Sequence, residues 1–265
     1  MCLIIIALRQ HVRYPLIILA NRDEYYRRPA QPAEFWQEHP MVYAGRDLSA
    51  KGTWLGITRQ GKIGMLTNYR DPSQTNPQAP SRGNLVKNYL TSELGPRAYL
   101  NSLQATAADY QGFNLIVGDV TQLYYFSNQN REIIPLSPGI HGISNHLLNT
   151  AWPKVELAKN LLVSYLAITD EIDMAALFRI LADNSIPADK DLPNTGVGLK
   201  LERILSAIFI DSPKIGYGTR VSTIITVDNE NLLHFYERTF LNGQRNNYTT
   251  RKNFFNLSSA TPSAN

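Results

Sequence analysis

Apolar residues cluster in short branched runs near the start of the chain: Leu3 to Ala7, Leu16 to Ala20, Trp54 to Thr58 and Ile63 to Thr67. Runs of this length, bounded by turn formers, predict strands. They are continuously apolar instead of alternating, so both faces of these strands should be covered and helices should lie over the sheets. The middle of the chain supplies candidates for those helices. Leu85, Tyr89, Leu90 and Leu94 recur at helical spacing, as do Val155, Leu157, Leu161, Leu162 and Tyr165, then Met174, Leu177, Phe178 and Leu181, and finally Leu201, Ile204, Leu205 and Ile208. Further strand signals lie at Asn114 to Val117, Gln122 to Ser127, Val221 to Val227 and Leu232 to Arg238. Strands at both ends with helices between them give a layered α+β arrangement. Asp71 to Pro80 and Ala182 to Gly198 are rich in residues hostile to helices and read as loops. No internal repeat is visible, so residues 1–255 read as one domain and the small, polar stretch 256–265 as a tail.

Composition narrows this picture. With 265 residues and 43% hydrophobic content the chain can bury a sizeable core, which excludes disorder as a description of the whole. A formal charge of +4, with no Lys/Arg run longer than a pair such as Arg27-Arg28, gives no footing for nucleic-acid binding. Leu3 to Leu8 is far shorter than the roughly 18 apolar residues of a membrane span. It also lacks the flanks of a secretory signal, because no basic segment precedes it and no small-residue cleavage site follows. The lone cysteine excludes an internal disulfide and agrees with a reducing, cytoplasmic setting.

Candidate chemistry begins with what is missing. There is no GxxxxGK[ST] loop, no GxGxxG fingerprint and no HExxH helix, and five scattered histidines, with no close pair except His141 and His146, give only a weak metal signal. Gly142-Ile143-Ser144-Asn145-His146 starts like a nucleophile elbow but lacks the second glycine. The single cysteine stands at position 2, where removal of Met1 would leave it as the amino terminus. Thiol and base then share one residue: an α-amine with a pKa of about 7.7 to 8.0 beside a thiol of about 8.5. Such an amine can accept the thiol proton without any histidine.

Folding the first two runs about Gln10 to Tyr14 pairs residues whose numbers sum to about 24, which sets Cys2 opposite Asn21, Arg22 and Asp23. Asp23 would orient the α-ammonium, while Arg22 would hold that carboxylate or favour the thiolate. A second hairpin turning at Gln60-Gly61 brings Asn68 to a strand end, where its amide is a candidate oxyanion donor. On residue type alone a second reading stands beside this one. A cysteine opening an apolar strand is commonly a small buried hydrophobe, and an Arg-Asp pair commonly clamps a turn.

Beyond Met1-Cys2, several runs recur together: Asn21-Arg22-Asp23-Glu24, Ala44-Gly45-Arg46-Asp47, Gly52-Thr53-Trp54-Leu55-Gly56, Leu66-Thr67-Asn68-Tyr69-Arg70, Ser81-Arg82-Gly83, Gly142-Ile143-Ser144-Asn145 and Tyr217-Gly218-Thr219-Arg220. In these the chain resembles the NRDE family, also called the transport-and-Golgi-organisation-2 family. The resemblance implies a four-layer αββα sandwich like that of N-terminal nucleophile hydrolases, in the branch whose members cleave non-peptide amides. By that similarity Cys2 matches the nucleophile, Asp23 the carboxylate near it, Asn68 and Asn145 the oxyanion site, and Arg220 a late-strand arginine facing the thiol, with Asn21 and Arg22 in support. The acylases of that branch carry an arginine three residues before the aspartate; here that place is Ala20, and Arg22 stands adjacent instead. The implied ligand is a small linear amide or acyl compound, handled with no cofactor. The resemblance also implies an alternative: a carrier of haem or lipid that uses the same cleft without breaking a bond, with Cys2, His11 or His146 as iron ligand.

Overall fold

In the computed structural model, which describes residues 3–74 and 76–258, the first two apolar runs form β1 (Leu3–Leu8) and β2 (Leu16–Tyr25). They pair antiparallel from Leu3 with Asn21 to Leu8 with Leu16, a register whose residue numbers sum to 24. Four more strands follow: β3 (Ala30–Phe35), β4 (Val42–Asp47), β5 (Leu55–Thr58) and β6 (Ile63–Asn68). The turn between β5 and β6 contains Gly61 at φ +86°, a conformation that favours glycine. The expected strand signals miss β3 and β4. Among the described residues β3 pairs with one neighbour only, and it carries Pro32, which suits a sheet edge, and a bulge between Gln31 and Glu34.

Helices α1 (Gly83–Thr91) and α2 (Pro96–Leu103) precede β7 (Phe113–Gly118), β8 (Leu123–Ser127), β9 (Ile133–Pro135) and β10 (Gly139–Ile143). Then come α3 (Pro153–Leu166), α4 (Met174–Leu181), α5 (Leu199–Leu205), β11 (Asp211–Ser212), β12 (Tyr217–Val227), β13 (Leu232–Phe240) and β14 (Tyr248–Asn256). The helical periodicities of α3 and α4 lie within those helices, whereas the sets for α1 and α5 each overrun at the C-terminal end. Leu94 falls outside α1, in the short connection before Pro96 opens α2, and Ile208 lies beyond the Ser206 cap of α5. Of the segment 256–265, Asn256 closes β14, while the N–H groups of Leu257 and Ser258 donate to the carbonyls of Asn231 and Arg59.

Among the described residues the strands make two seven-stranded antiparallel sheets. One has the order β10-β1-β2-β12-β13-β14 with β11 beside β12; the other runs β3-β4-β5-β6-β7-β8-β9. Their inner faces meet through Ile4, Ile6 and Ile18 on one side and Ile57, Met65 and Tyr125 on the other. On the outer face of the second sheet Leu66 and Leu115 pack under Val86, Tyr89 and Leu100 of α1 and α2. On the outer face of the first sheet Ile5, Leu19 and Ile224 pack under Val155, Leu162 and Leu177 of α3 and α4. The layers are therefore α, β, β, α. Every residue of β1 is buried, which is why that run has no polar alternation.

Candidate active site

Strand alternation divides the polar end of β2 between two environments. Leu16, Ile18 and Ala20 face the other sheet, whereas Ile17 and Leu19 face the helices. Continuing that period, Asn21 turns to the helical side. Its Nδ2 donates to the carbonyls of Leu181 and Ile208, each at 2.9 Å, and its Oδ1 accepts from Ser222 Oγ at 2.6 Å. Asp23 shares that side, and its Oδ1 accepts from Thr219 Oγ1 at 2.7 Å. Thr219 Oγ1 in turn accepts the Ile210 N–H at 2.9 Å. Arg22 points the other way, toward the second sheet.

The ion-pair partners of Arg22 are thus Asp47, at 3.1 Å, and Glu24, at 3.9 Å, not the adjacent Asp23 expected from the sequence. Its guanidinium also lies 4.4 Å from the ring centre of Trp54. Burial lowers the pKa of Arg22, and the Glu24 and Asp47 charges oppose that shift. Asp47 additionally accepts from Arg28 Nε at 2.6 Å and from the N–H groups of Ser49 and Ala50. Burial works against ionisation of Asp47, but the Arg28 bond, the Ala50 N–H and two guanidinium charges hold it below the usual carboxylate range.

Arg220 sits where the β2–β12 register slips, between Thr219 and Val221. Its Nη1 donates to the carbonyls of Tyr25, Tyr26 and Arg28, so it ties down the chain leaving β2. Its charge is close enough to act against that of Arg22.

Asn68 and Asn145 come together from opposite sheets. Asn68 ends β6 and Asn145 follows β10, and Asn145 Nδ2 donates to the Asn68 carbonyl at 3.0 Å. The Asn68 side chain lines the adjoining cleft and makes no hydrogen bond to a described residue. Asn145 is held by Arg70: the Arg70 N–H donates to the Asn145 carbonyl at 2.8 Å and Nη2 donates to Oδ1 at 3.1 Å. Arg70 Nη1 reaches the buried Glu202 of α5 at 3.0 Å, and Glu202 also accepts from the Thr195 N–H and hydroxyl. α5 and the preceding loop are anchored to the site in this way.

Asp23 and Asn145 flank the N-terminal end of β1 from either side, since Leu3 pairs with Asn21 on β2 and Ile4 pairs with Ile143 on β10. Cys2, the expected nucleophile, lies outside the described residues. Beside this end opens a cleft of about 310 Å³, lined by Arg22, Asp47, Trp54, Asn68 and Arg82 and walled by Pro77 and Pro80 of the loop expected over 71–80. Both ring nitrogens are engaged in each histidine considered for haem. His11 meets Thr169 O and the Arg13 N–H, and His146 meets Tyr69 Oη and Thr150 Oγ1.

Sequence reasoning gave no role to Asp47, Trp54, Arg70, Thr219 or Glu202. The first four stand within the recurrent runs, which were their only signal; Glu202 had none.

The αββα layering is the fold of the N-terminal nucleophile hydrolases. A mutant of conjugated bile acid hydrolase from Clostridium perfringens superposes with a TM-score of 0.50 at 8% identity, covering 100% of both chains. A Caenorhabditis elegans ortholog of N-acylethanolamine-hydrolyzing acid amidase gives 0.43 at 11% identity, over 84% of this chain and 92% of its own. The chain belongs to the Transport and Golgi organisation 2 family, whose model matches residues 1–242. The Transport and Golgi organization protein 2 homolog of Bos taurus is 36% identical, over 93% of this chain and 94% of its own. The Homo sapiens homolog is 35% identical over the same shares, and the Drosophila melanogaster protein 28% identical over 92% and 94%.

Proposed function

We propose that the chain is an amide-cleaving or acyl-transferring hydrolase whose nucleophile is the thiol of Cys2, exposed as the amino terminus by removal of Met1. The α-amine takes the thiol proton, and the thiolate attacks the acyl carbonyl of a small linear non-peptide amide. Asn68 and Asn145 donate to the oxygen that becomes negative. Collapse of that intermediate breaks the carbon–nitrogen bond, the ammonium returns its proton to the departing amine, and water then releases the acid from the thioester. A reducing, cytoplasmic setting keeps the thiol available.

The observation that supports this most is the meeting of Asn68 and Asn145 from two facing sheets beside an open cleft, at the end of β1 that Asp23 flanks from β2. A binding pocket alone has no need for a buried carboxylate and a pair of amides at a sheet end. Intact-mass measurement with a short acyl probe tests the reading. Wild-type protein should lack Met1 and gain one acyl mass, while Cys2→Ser should fold by circular dichroism and gain none. Retention of Met1, or acylation indifferent to Cys2→Ser, overturns it.

A further inference from the structure

Amide cleavage makes no use of the positive bias of the cleft. Arg22 forms part of its floor with a side chain only 4% exposed; Nη2 is committed to Asp47, whereas Nη1 is buried and donates to none of the described residues. A buried donor in that state carries a cost that an incoming acceptor removes. The N-terminus of α1 opens on the same cleft through Ser81, Arg82 and Gly83. That helix has no side-chain cap and no acidic residue in its first turn, and the Gly83 N–H has no hydrogen-bond partner among the described residues. The partial positive charge of the helix end therefore faces the cleft unneutralised. Gly52 holds it there, because a Cβ at that position would come within 2.5 Å of the Gly83 carbonyl carbon.

We propose that this end of the cleft binds a singly charged carboxylate of the ligand, between the guanidinium of Arg22 and the N-terminus of α1. Two carboxylates, Glu24 and Asp47, share the lining with Arg22 and Arg28. A phosphate monoester, at about −1.5 to −2, is repelled by them more strongly than a singly charged carboxylate is. Where the proposed hydrolase reading holds, on which this assignment of substrate class rests, the substrate is an acyl amide whose amine half ends in a carboxylate. Binding itself does not require turnover.

Calorimetric titration of the Cys2→Ala chain, which has no thiol to acylate, separates the two. N-hexanoylglycine should bind at least about tenfold tighter than neutral N-hexanoylglycinamide, and tighter than the phosphate monoester of N-hexanoylethanolamine. Arg22→Gln should weaken the glycine compound about tenfold. Because that change could unfold the chain, Asn84→Asp is the second variant: Asn84 is half-buried in the first turn of α1. A carboxylate there complements the helix end, so it should raise Tm while weakening N-hexanoylglycine several-fold. Equal binding of acid and amide, tighter binding of the phosphate, or unaltered binding by Asn84→Asp overturns the carboxylate site. An absent acyl adduct on wild-type protein, with this binding pattern intact, overturns only the catalytic reading.

Discussion

Glu237 on β13 offers a quantitative check on how the two sheets are joined. Its carboxylate is 2% exposed and its Oε1 accepts the N–H of Ala33 at 2.7 Å, the backbone donor that the bulge in β3 leaves without a strand partner. Burial pushes the carboxyl up from the usual 4.5 to about 7, against the Ala33 N–H and the charges of Arg251 and Arg22, which favour ionisation. A carboxyl raised on folding binds its proton more tightly in the native state, so its contribution is complete below about 4.5 and is lost as pH rises to about 7. At about 1.4 kcal/mol per pH unit, that loss amounts to roughly 3 kcal/mol. Glu237→Gln preserves an acceptor for Ala33 and has no proton to lose. Urea unfolding of both proteins should therefore give nearly equal stabilities at pH 4.5, with the variant ahead by about 3 kcal/mol at pH 8. Burial lowers the pKa of His146 and His234, which favours the native state as pH rises, but both histidines are common to the two proteins and cancel in the difference. A difference that stays flat with pH, or that turns toward wild type on the alkaline side, refutes the placement of an ionisable carboxyl between the sheets.

Asn21→Ala removes the partner of two buried carbonyls and one hydroxyl, so it should cost about 3 kcal/mol in unfolding experiments; a loss near zero would show that α4 is not pinned to β2 through this amide. Asn68→Ala should leave Tm close to wild type yet slow acyl transfer to the chain by about 100-fold, the usual effect of one oxyanion donor, and unchanged acylation kinetics would remove Asn68 from the proposed chemistry. Because both ring nitrogens of His11 and of His146 are engaged, any haem spectrum of the protein should survive His11→Ala and His146→Ala unaltered. A Soret band that shifts in either variant would contradict this.

Much of the architecture was legible because continuous apolar runs have one stable use, as strands enclosed on both faces. The β1–β2 register followed from run length and the polar turn alone. The extension of β2 past Ala20 was hidden, since Asn21, Arg22 and Asp23 look like a loop until Ser222, Asp47 and Thr219 supply their partners from strands far along the chain. β3 was obscured by Pro32, and β4 by a short run holding Gly45 and two charged residues. Within the site, Asn68 could be placed at a strand end from hairpin geometry. Arg70 and Glu202 could not, because a tie between a β6 exit and α5 has no local sequence signature.

The split of β2 between its two faces changes how the four-letter run Asn21-Arg22-Asp23-Glu24 responds to mutational scanning. It behaves as two interleaved words instead of one. Changes at Asn21 deplete soluble protein, because they loosen the mortar between sheet and helices. Changes at Arg22 act on the cleft side, where under the proposed carboxylate site they shift ligand selectivity beyond any loss of folded chain. A screen that scores only abundance would rank these neighbours in the reverse order from a screen that scores only ligand selectivity.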